Sequence, residues 1–295
     1  MKPKDVAAYL FLALAWGLSF LLLLKVVSAF GWVGAVTFRC FVAGLTLFFI
    51  ARATGRGLHF RAGWWPFAVV GATTVAGQLV GLSYATPLIG TAMAAILVAT
   101  IPMFSMLIGQ VWGLERITPQ RLLGLLIGFV GVVLLVGFPA APINAAFVLG
   151  CAGTLFACLC AAFGSNYASH RLQGVGAWEV TIGAFLFGGL MTLPLLLAVP
   201  VPGVPRLIDY GYLLVLAGVM SAMTYVLYFG LVASIGATRA ISVEFAVTAV
   251  AVLVGALFLG EPLSLVQVIG GLIIIGGCAI VLGLVPGRRA VRAGT

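Results

Sequence analysis

The chain has 295 residues, of which 63% are hydrophobic and only 7% are charged. Soluble domains typically carry about 25% charged residues, so this composition excludes a water-soluble globular protein and indicates that lipid is the main solvent. The net charge is +9, but the basic residues stand singly or in small groups between apolar runs. This pattern is typical of membrane topology and argues against a nucleic-acid-binding surface.

Long apolar runs divide the chain into ten segments, each close to the roughly 20 residues that a membrane-crossing helix needs. The first run is longer than the apolar core of a signal peptide and is followed by Lys25, so we interpret it as a retained span. The connections are short and leave no room for a separate soluble domain. In chain order, we expect spans at residues 6–27, 33–51, 64–84, 90–112, 122–138, 145–167, 178–198, 210–232, 240–259 and 265–284.

The basic residues in the connections predict the orientation of the chain. Alternation of the spans puts twelve of them on one side of the membrane, whereas the other side has only Lys25 and Arg206. Because positive charge accumulates on the cytoplasmic side, both termini are expected in the cytoplasm. The twelve residues are Lys2, Lys4, Arg52, Arg56, Arg61, Arg116, Arg121, Arg171, Arg239, Arg288, Arg289 and Arg292.

The two halves of the chain resemble each other at an offset of 146 residues, which aligns the segment from Glu115 with the segment from Glu261. Each half holds five spans, and because five is odd, the halves cross the membrane in opposite directions. We therefore predict two five-helix repeats, residues 1–140 and 141–295, inverted around a central cavity, as is typical of alternating-access transporters. The aligned glycine pairs are Gly124 and Gly270, Gly131 and Gly277, and Gly137 and Gly283.

Several motifs carry a family resemblance. Glu115 and Glu261 each precede a glycine-bearing span, the segment "WGLSF" covers residues 16–20, and Arg39 stands in "FRCFVAG". Together with the length and the repeat, they resemble the drug/metabolite transporter superfamily and, within it, the EamA family of bacterial exporters. The resemblance implies a ten-helix basket around a central cavity and export of amino acids or other small metabolites. Related branches carry nucleotide sugars, sugar phosphates or drugs, so the fold does not fix the substrate.

Glu244, in the ninth span, is the residue that we most expect to act in transport. A carboxylate inside a membrane costs about 2.5–3.5 kcal/mol on insertion scales. On a helix it shares a face with Thr248, so it is expected to line the cavity, where it would hold a substrate ammonium or carry a proton. The alternative is a structural ion pair with Arg239 or Arg171. The matching residue of the first half is Val98, so the architecture does not itself require a charge here.

Four other charged residues are interpreted as structural. Glu115 and Glu261 begin connections into glycine-bearing spans, where the N–H groups of a helix N-terminus and its dipole stabilise a carboxylate. Glu179 is expected to do the same at the start of the seventh span. Arg39 lies about six residues into the second span, from which it can reach the outer interface, pair with helix-end carbonyl groups, or bind a substrate carboxylate. We favour a structural role for Arg39.

Polar and aromatic residues within the spans complete the predicted cavity lining. Buried amides need hydrogen-bond partners and aromatic rings suit amphipathic solutes, although hydrogen bonding between helices is an alternative role for each residue. Pro102 removes one backbone hydrogen bond and is expected to kink the fourth span, as a hinge or as part of the cavity wall. The lining candidates are Trp16, Ser19, Gln78, Tyr84, Thr100, Asn166, Tyr225, Tyr228 and Thr248.

The sequence has no HExxH, GxSxG or Walker motif, so we do not expect an enzyme. The five cysteines lie in apolar runs and are interpreted as small buried residues. We expect no cofactor, metal or nucleic-acid partner, and a monomer in a bacterial inner membrane that binds a small-molecule substrate, with a proton as the candidate coupling ion. The alternatives are a multidrug exporter, an exporter of other metabolites such as phosphorylated sugars or nucleosides, and an uncoupled facilitator.

Overall fold

The computed structural model of the protein describes residues 2–60, 63–114, 116–136, 144–250 and 265–282. All regular secondary structure in these ranges is helical, since helices satisfy their backbone polar groups internally when lipid surrounds them. The predicted all-α, multi-pass membrane class is confirmed. Among the described residues, five segments are long and apolar enough to cross a membrane, namely Lys25–Ala53, Trp65–Ile89, Ala145–Arg171, Ala177–Ala198 and Leu207–Ile235.

The first half of the chain forms five helices. The helical stretch Pro3–Ala53 contains one residue with non-helical dihedral angles, Gly31, which divides it into two arms. We number the helices α1 (residues 3–30), α2 (32–53), α3 (Trp65–Val70, the π-helical Gly71–Gly77 and Gln78–Val98), α4 (Ile101–Val111) and α5 (Pro119–Val136).

The second half repeats this order of elements. Its third helix again contains a π-helical segment, and a single glycine, Gly236, separates that helix from the next one. The helices are α6 (Ala145–Arg171), α7 (Ala177–Thr192, continued by Leu195–Ala198), α8 (Leu207–Ala217, the π-helical Gly218–Met223 and Thr224–Ile235), α9 (Ala237–Ile241 and residues 243–250) and α10 (Leu265–Val281).

Two connections consist of one glycine each. Gly31 has φ 71° and ψ 167°, and Gly236 has φ 86° and ψ 161°. Residues with a Cβ atom rarely adopt such angles, so glycine permits a reversal that needs no loop. The ring centroids of Phe30 and Phe38 lie only 5.7 Å apart, whereas eight residues of straight helix would separate them by about 12 Å. The chain therefore folds back on itself at Gly31.

A further reversal follows from the contacts along α6. Gly81 packs against Ala157, and Gly150 packs against Ile89, so this part of α3 runs antiparallel to α6. The thiol of Cys158 then lies 3.4 Å from the carbonyl oxygen of Leu97. The chain thus turns back inside the stretch Gln78–Val98, between Ile89 and Leu97, which follows the predicted connection at residues 85–89.

Helices α5 and α10 pack against each other through glycines. Gly131 lies against the backbone of Ile274 and Gly270, and Gly277 lies against the backbone of Gly128 and Gly124. A Cβ atom at Gly277 would come within 2.6 Å of the Gly128 nitrogen, and one at Gly131 within 2.8 Å of the Ile274 nitrogen. The two sets of contacts involve equivalent residues of the two halves, since each α10 residue lies 146 positions after its equivalent in α5. The two antiparallel helices therefore make symmetric contacts.

The structure differs from the predicted spans in two places. The fourth span does not simply kink at Pro102, because the helix stops at Val98 and restarts at Ile101, with Pro102 in the first turn of α4. The seventh span is interrupted in the same way after Thr192, just before Pro194. Proline lacks the N–H group that would continue the helix, so each helix restarts around it. The end of the ninth span and the basic C-terminal tail lie outside the described residues.

Candidate functional site

Five aromatic side chains from α1, α7 and α8 meet inside the bundle, and we call them the aromatic cluster. Tyr225 is at its centre, and the rings meet in tilted or edge-to-face arrangements, which aromatic quadrupoles favour. Three predicted lining residues from distant parts of the chain are thereby brought together: Trp16, Tyr225 and Tyr228. The distances from the Tyr225 ring centroid are 4.9 Å to Phe185, 5.5 Å to Trp16, 6.1 Å to Tyr228 and 6.1 Å to Phe229.

Hydrogen bonds hold the cluster in place. The indole Nε1 of Trp16 donates to the hydroxyl of Thr224 at 3.0 Å, which joins α1 to α8. The hydroxyls of Tyr228 and Ser165 lie 2.6 Å apart, which joins α8 to α6. Ser19 donates to the carbonyl oxygen of Trp16 at 2.7 Å, so its hydroxyl serves the backbone of its own helix. The polar ends of two cluster residues therefore have partners and their ring faces remain apolar.

The carboxyl group of Glu244 lies beside this cluster. Its side chain is buried, with 9% of its surface exposed, and it interacts electrostatically with the phenol groups of Tyr9, Tyr225 and Tyr228. Thr248 donates to the carbonyl oxygen of Glu244 at 3.0 Å and so does not bind the carboxylate. In the part of the chain that the structure describes, no lysine or arginine lies within salt-bridge distance of Glu244. The alternative of an ion pair with Arg239 or Arg171 is therefore not what the structure contains.

Two residues near the N-terminus join this region although the sequence pattern did not single them out. The hydroxyl of Tyr9 lies 3.1 Å from that of Ser242, two residues before Glu244, and Ser234 donates to Asp5 at 3.0 Å. Both contacts fasten the start of α1 to the ends of α8 and α9. The spacing of seven residues between Tyr9 and Trp16 places them on one helix face, and this spacing is the signal that would have found Tyr9.

Arg39 is also buried near the cluster. Its side chain is buried, with 7% exposed, and its Nε donates to the hydroxyl of Ser221 in the π-helical segment of α8. Ser221 in turn donates to the carbonyl oxygen of Leu216 at 2.7 Å. Within the described ranges no carboxylate pairs with Arg39, which interacts electrostatically with Tyr225 instead. Its guanidinium group therefore points into the bundle and does not reach the outer interface.

Asn166 forms a second polar contact, between α6 and the fourth and ninth helices. Its Nδ2 donates to the carbonyl oxygen of Ser105 at 3.1 Å and to the Ser105 hydroxyl at 2.9 Å. That hydroxyl lies 3.2 Å from the hydroxyl of Thr238. The Oδ1 of Asn166 is buried and has no hydrogen-bond partner within the described part of the protein. Asn166 thus joins three helices and keeps one unused acceptor.

The sequence of this chain matches a known family. The model of the EamA-like transporter family matches residues 5–137 and 148–283. This chain belongs to the EamA-like transporter family. The members of this family are transporters and not enzymes, so transport is the general function of the chain. The family resemblance that the sequence motifs predicted is confirmed.

Individual proteins resemble this EamA-like transporter along nearly its whole length. Protein PecM of Dickeya dadantii is 28% identical and the match covers 99% of this chain and 97% of PecM. An uncharacterized transporter of Archaeoglobus fulgidus is 25% identical, over 88% of this chain and 92% of that protein. A protein of known crystal structure superposes with a TM-score of 0.81, at 18% identity, over 97% of this chain and all of that chain. The last likeness shows a shared fold.

Three predicted lining residues of this EamA-like transporter lie apart from the aromatic cluster. Tyr84 is 38% exposed and its ring packs against Trp32, with centroids 5.4 Å apart. Gln78 is half-buried, and its amide makes no hydrogen bond in the described structure. Thr100 donates to the carbonyl oxygen of Leu97 at 2.6 Å, in the turn that precedes α4. The structure therefore does not bring Tyr84, Gln78 or Thr100 to the site around Tyr225.

The charges predicted to be structural divide into two groups. Glu179 is buried in the first turn of α7, where its Oε1 accepts a hydrogen bond from the backbone N–H of His59 at 3.1 Å. Arg56 lies over the neighbouring Trp178 ring, 4.9 Å from its centroid. These contacts fit the role of a helix-terminal acid that fastens the second connection. Glu115 and Glu261 lie outside the described residues.

A cleft of about 240 Å³ opens at the ends of α6, α7 and α8 on the side predicted to be cytoplasmic. Small and polar residues line its mouth, including Ser169, Gln173 and Gly236. Its inner wall includes Phe229, a member of the aromatic cluster. The aromatic cluster therefore has water-accessible space on one side, separated from Tyr225 by one ring.

Proposed function

We propose that this EamA-like protein is a secondary transporter that exports small amphipathic metabolites, amino acids foremost, by alternating access. The observation that carries the proposal is Glu244, a buried carboxylate beside an aromatic cluster with no cation partner in the described structure. Intramembrane carboxylates are costly and typically mark substrate or ion pathways. The aromatic faces supply a surface for the apolar part of a substrate, and Glu244 supplies a site for its ammonium group or for a proton.

The proposed architecture is a basket of ten spans, built from two inverted five-helix repeats, with both termini in the cytoplasm. Three observations support it. The antiparallel helices α5 and α10 exchange equivalent glycine contacts at the repeat offset. The π-helical segments Gly71–Gly77 and Gly218–Met223 occupy corresponding places in the two halves. The basic residues divide between the two predicted sides as the positive-inside rule requires.

Glu244, Trp16, Tyr225, Tyr228 and Thr248 are the proposed core of the substrate pathway. Ser19, Gln78, Tyr84, Thr100 and Asn166 remain candidates for its lining in other conformations of the cycle, and the break before Pro102 is a candidate hinge. We place the protein in a bacterial inner membrane as a monomer, with a proton as the candidate coupling ion. Its proposed partners are the small-molecule substrate and the lipid bilayer, without a cofactor.

A multidrug exporter is the second candidate function, and the size of the aromatic cluster favours it. Five adjoining rings offer a large apolar surface, and a single acid beside them suits a lipophilic cation. A drug exporter, however, has no need for a buried arginine next to the same rings. The position of Arg39 against Ser221 and near Tyr225 therefore favours a substrate that also carries a negative group.

Reconstitution into vesicles, with a panel of radiolabelled amino acids and an imposed pH gradient, tests the proposal. We expect accumulation of at least one amino acid, driven by the gradient if transport is proton-coupled. Replacing Glu244 by Gln should lower the rate by about tenfold or more, since a charge-assisted contact is lost. The matched control is Glu179→Gln, a buried acid at a helix end, which should transport normally. Transport of lipophilic cations without any amino acid would favour the drug exporter, and equal rates with and without the gradient would favour a facilitator.

A further inference from the structure

An arginine and a glutamate are buried near the aromatic cluster, and they do not form an ion pair with each other. Arg39 and Glu244 have 7% and 9% of their surfaces exposed, and within the described ranges neither forms an ion pair. Buried charges usually pair with one another, because an isolated charge in a low-dielectric interior is costly. Arg39 is held by Ser221, one helical turn before Tyr225 on α8, and the Tyr225 phenol is within electrostatic reach of both Arg39 and Glu244. The arrangement leaves an arginine and a glutamate unpaired in the neighbourhood of one ring.

The two charges belong to one half of the chain each and have no counterparts in the other. At the offset of 146, the residue that matches Glu244 is Val98. In the region of the second span the offset is 144, and the residue that matches Arg39 is Gly183, which packs against Phe67. The repeat therefore folds without a charge at either position. A role in holding the two halves together would call for charges at matching positions.

The depths of the two residues are complementary. Arg39 lies eight residues beyond the Gly31 turn, and Glu244 lies eight residues beyond the Gly236 turn. At 1.5 Å per residue, each is about 12 Å from its turn. In the proposed topology these turns lie at opposite faces of the membrane. The guanidinium and the carboxylate thus approach the middle of the bundle from opposite faces of the membrane.

The donors of Arg39 are only partly used. Its Nε is held by Ser221, which is itself fixed by the Leu216 carbonyl oxygen. The two terminal nitrogens make no hydrogen bond to any described residue. A guanidinium group with a fixed orientation and free terminal donors is suited to a carboxylate, which accepts two such bonds in parallel. Ser221 therefore acts as a positioning residue for Arg39.

From this geometry we infer that the site takes a zwitterion, with Arg39 binding its carboxylate, Glu244 binding its ammonium group and the aromatic cluster contacting the part between or beside them. The inference rests on the proposed function, and it adds which residue recognises which end of the substrate. A zwitterion would neutralise both buried charges at once. An ion of either single sign would leave one of them unmatched.

Competition in reconstituted vesicles tests the assignment. The probes are leucine, leucine amide, which lacks the carboxylate, and N-acetylleucine, which lacks the ammonium group. They are measured at neutral pH, where the amino group of leucine amide is mostly protonated, as competitors of radiolabelled leucine. In the wild type, leucine amide and N-acetylleucine should each compete at least about tenfold more weakly than leucine. A factor of about ten corresponds to the loss of one charge-assisted hydrogen bond.

The variants assign the ends. In Arg39→Gln, leucine should compete only as well as leucine amide, and the potency of leucine amide should not change. In Glu244→Gln, leucine should compete only as well as N-acetylleucine. Arg52→Gln removes an exposed charge at the far end of the same helix α2 and should leave all ratios as in the wild type. Arg39→Lys keeps the charge without the two-pronged geometry and should retain only part of the preference for leucine over its amide.

Two outcomes would overturn the assignment, and they are distinct from failure of the proposed function. One is a wild type that exports leucine but is inhibited equally by all three probes, a result that needs no variant. The other is a folded Arg39 or Glu244 variant that keeps the wild-type ratios. Absence of transport for every amino acid of the panel would instead remove the proposed substrate class itself.

Discussion

Most buried charges of this protein are compensated at helix ends. Asp5 accepts a hydrogen bond from Ser234, and Glu179 accepts one from the backbone N–H of His59. In such contacts, a hydrogen bond replaces the hydration that the carboxylate loses on burial, and the group stays close to water. The net cost in free energy is therefore small. Glu244 differs because it lies among aromatic side chains and has no cation beside it in the described residues. A charge that the fold leaves uncompensated remains available for a substrate or a proton.

The two tyrosines of the aromatic cluster should differ in their contribution to stability. Tyr228→Phe removes the 2.6 Å contact with Ser165, whose hydroxyl keeps its hydrogen bond to the carbonyl oxygen of Ala161, so the loss of one buried hydrogen bond should cost about 1 kcal/mol. The hydroxyl of Tyr225 makes no hydrogen bond with any described residue, so Tyr225→Phe should change stability by less than about 0.5 kcal/mol. Thermal or denaturant unfolding in detergent measures both variants. Equal losses for the two would contradict the assigned contacts.

The sequence singled out several residues that the structure brings close together, but it did not predict which other side chains pack around them. Glu244, Trp16, Tyr225 and Tyr228 stand out because a charge or a polar aromatic group is unusual inside a span. The contributions of Phe185 and Phe229 could not be predicted, since phenylalanine is ordinary in lipid-facing sequence. Tyr84 was included on residue type alone, and the structure has it partly exposed against Trp32.

At the scale of single helices, close packing decides where substitutions are tolerated. Glycine at a helix crossing lets two backbones approach closely. Helices embedded in lipid depend on such close packing, because no hydrophobic driving force holds them together. On α10, Gly277 faces the backbone of α5, whereas its neighbour Gly276 faces open space. Two adjacent glycines of identical intrinsic helix propensity thus have opposite surroundings.

Replacing each of these glycines by alanine separates the two effects. Gly277→Ala would place a methyl group 2.6 Å from the Gly128 nitrogen, and forcing the helices apart should cost about 1–3 kcal/mol. Gly276→Ala meets no neighbour and should be neutral or stabilising by up to about 1 kcal/mol, since alanine favours the helix. Unfolding of the two variants side by side makes the comparison. A stable Gly277→Ala protein would mean that α5 and α10 do not pack in this register.

The all-helical, membrane-spanning character of the chain followed from hydropathy, but the internal irregularities of its helices did not. A π-helical segment has the same composition as an α-helical one, so Gly71–Gly77 and Gly218–Met223 leave no trace in the apolar pattern. One of these segments contains Ser221, the hydrogen-bond partner of Arg39, and π-helical turns often occur at functional sites. Likewise, hydropathy predicted a connection of several residues after the first span, whereas Gly31 alone makes the turn.

For the whole molecule, the inverted orientation of the two halves is the prediction with the widest consequences. The alignment of Glu115 with Glu261 carried it in the sequence, and both residues lie outside the described ranges. The contacts of Gly131 and Gly277 support it independently. Sequence comparison of the halves is weak elsewhere, because apolar segments match by chance, and only spatial contacts can distinguish a repeat from coincidence there.

Cysteine labelling can test the orientation directly. In a background with the five native cysteines replaced by alanine, Val204→Cys lies in the connection between α7 and α8, where Val204 is 96% exposed. It should react with a membrane-impermeant maleimide added to intact cells. Gln173→Cys, exposed in the connection between α6 and α7, should react only after the membrane is opened. The reverse pattern would place both termini outside, and labelling of both sites from one side would remove the intervening span.

The turn at Gly236 joins α8, which holds Tyr225 and Tyr228, to α9, which holds Glu244, through a single residue with φ 86°. A joint this short contains no slack. The two helices can pivot about it, but neither can slide along the other. In the proposed transport cycle, a tilt of α9 that follows binding at Glu244 would therefore be a rotation about Gly236. We expect such a rotation to change the distance between Glu244 and the tyrosines of α8, because the joint allows no compensating shift along the helix.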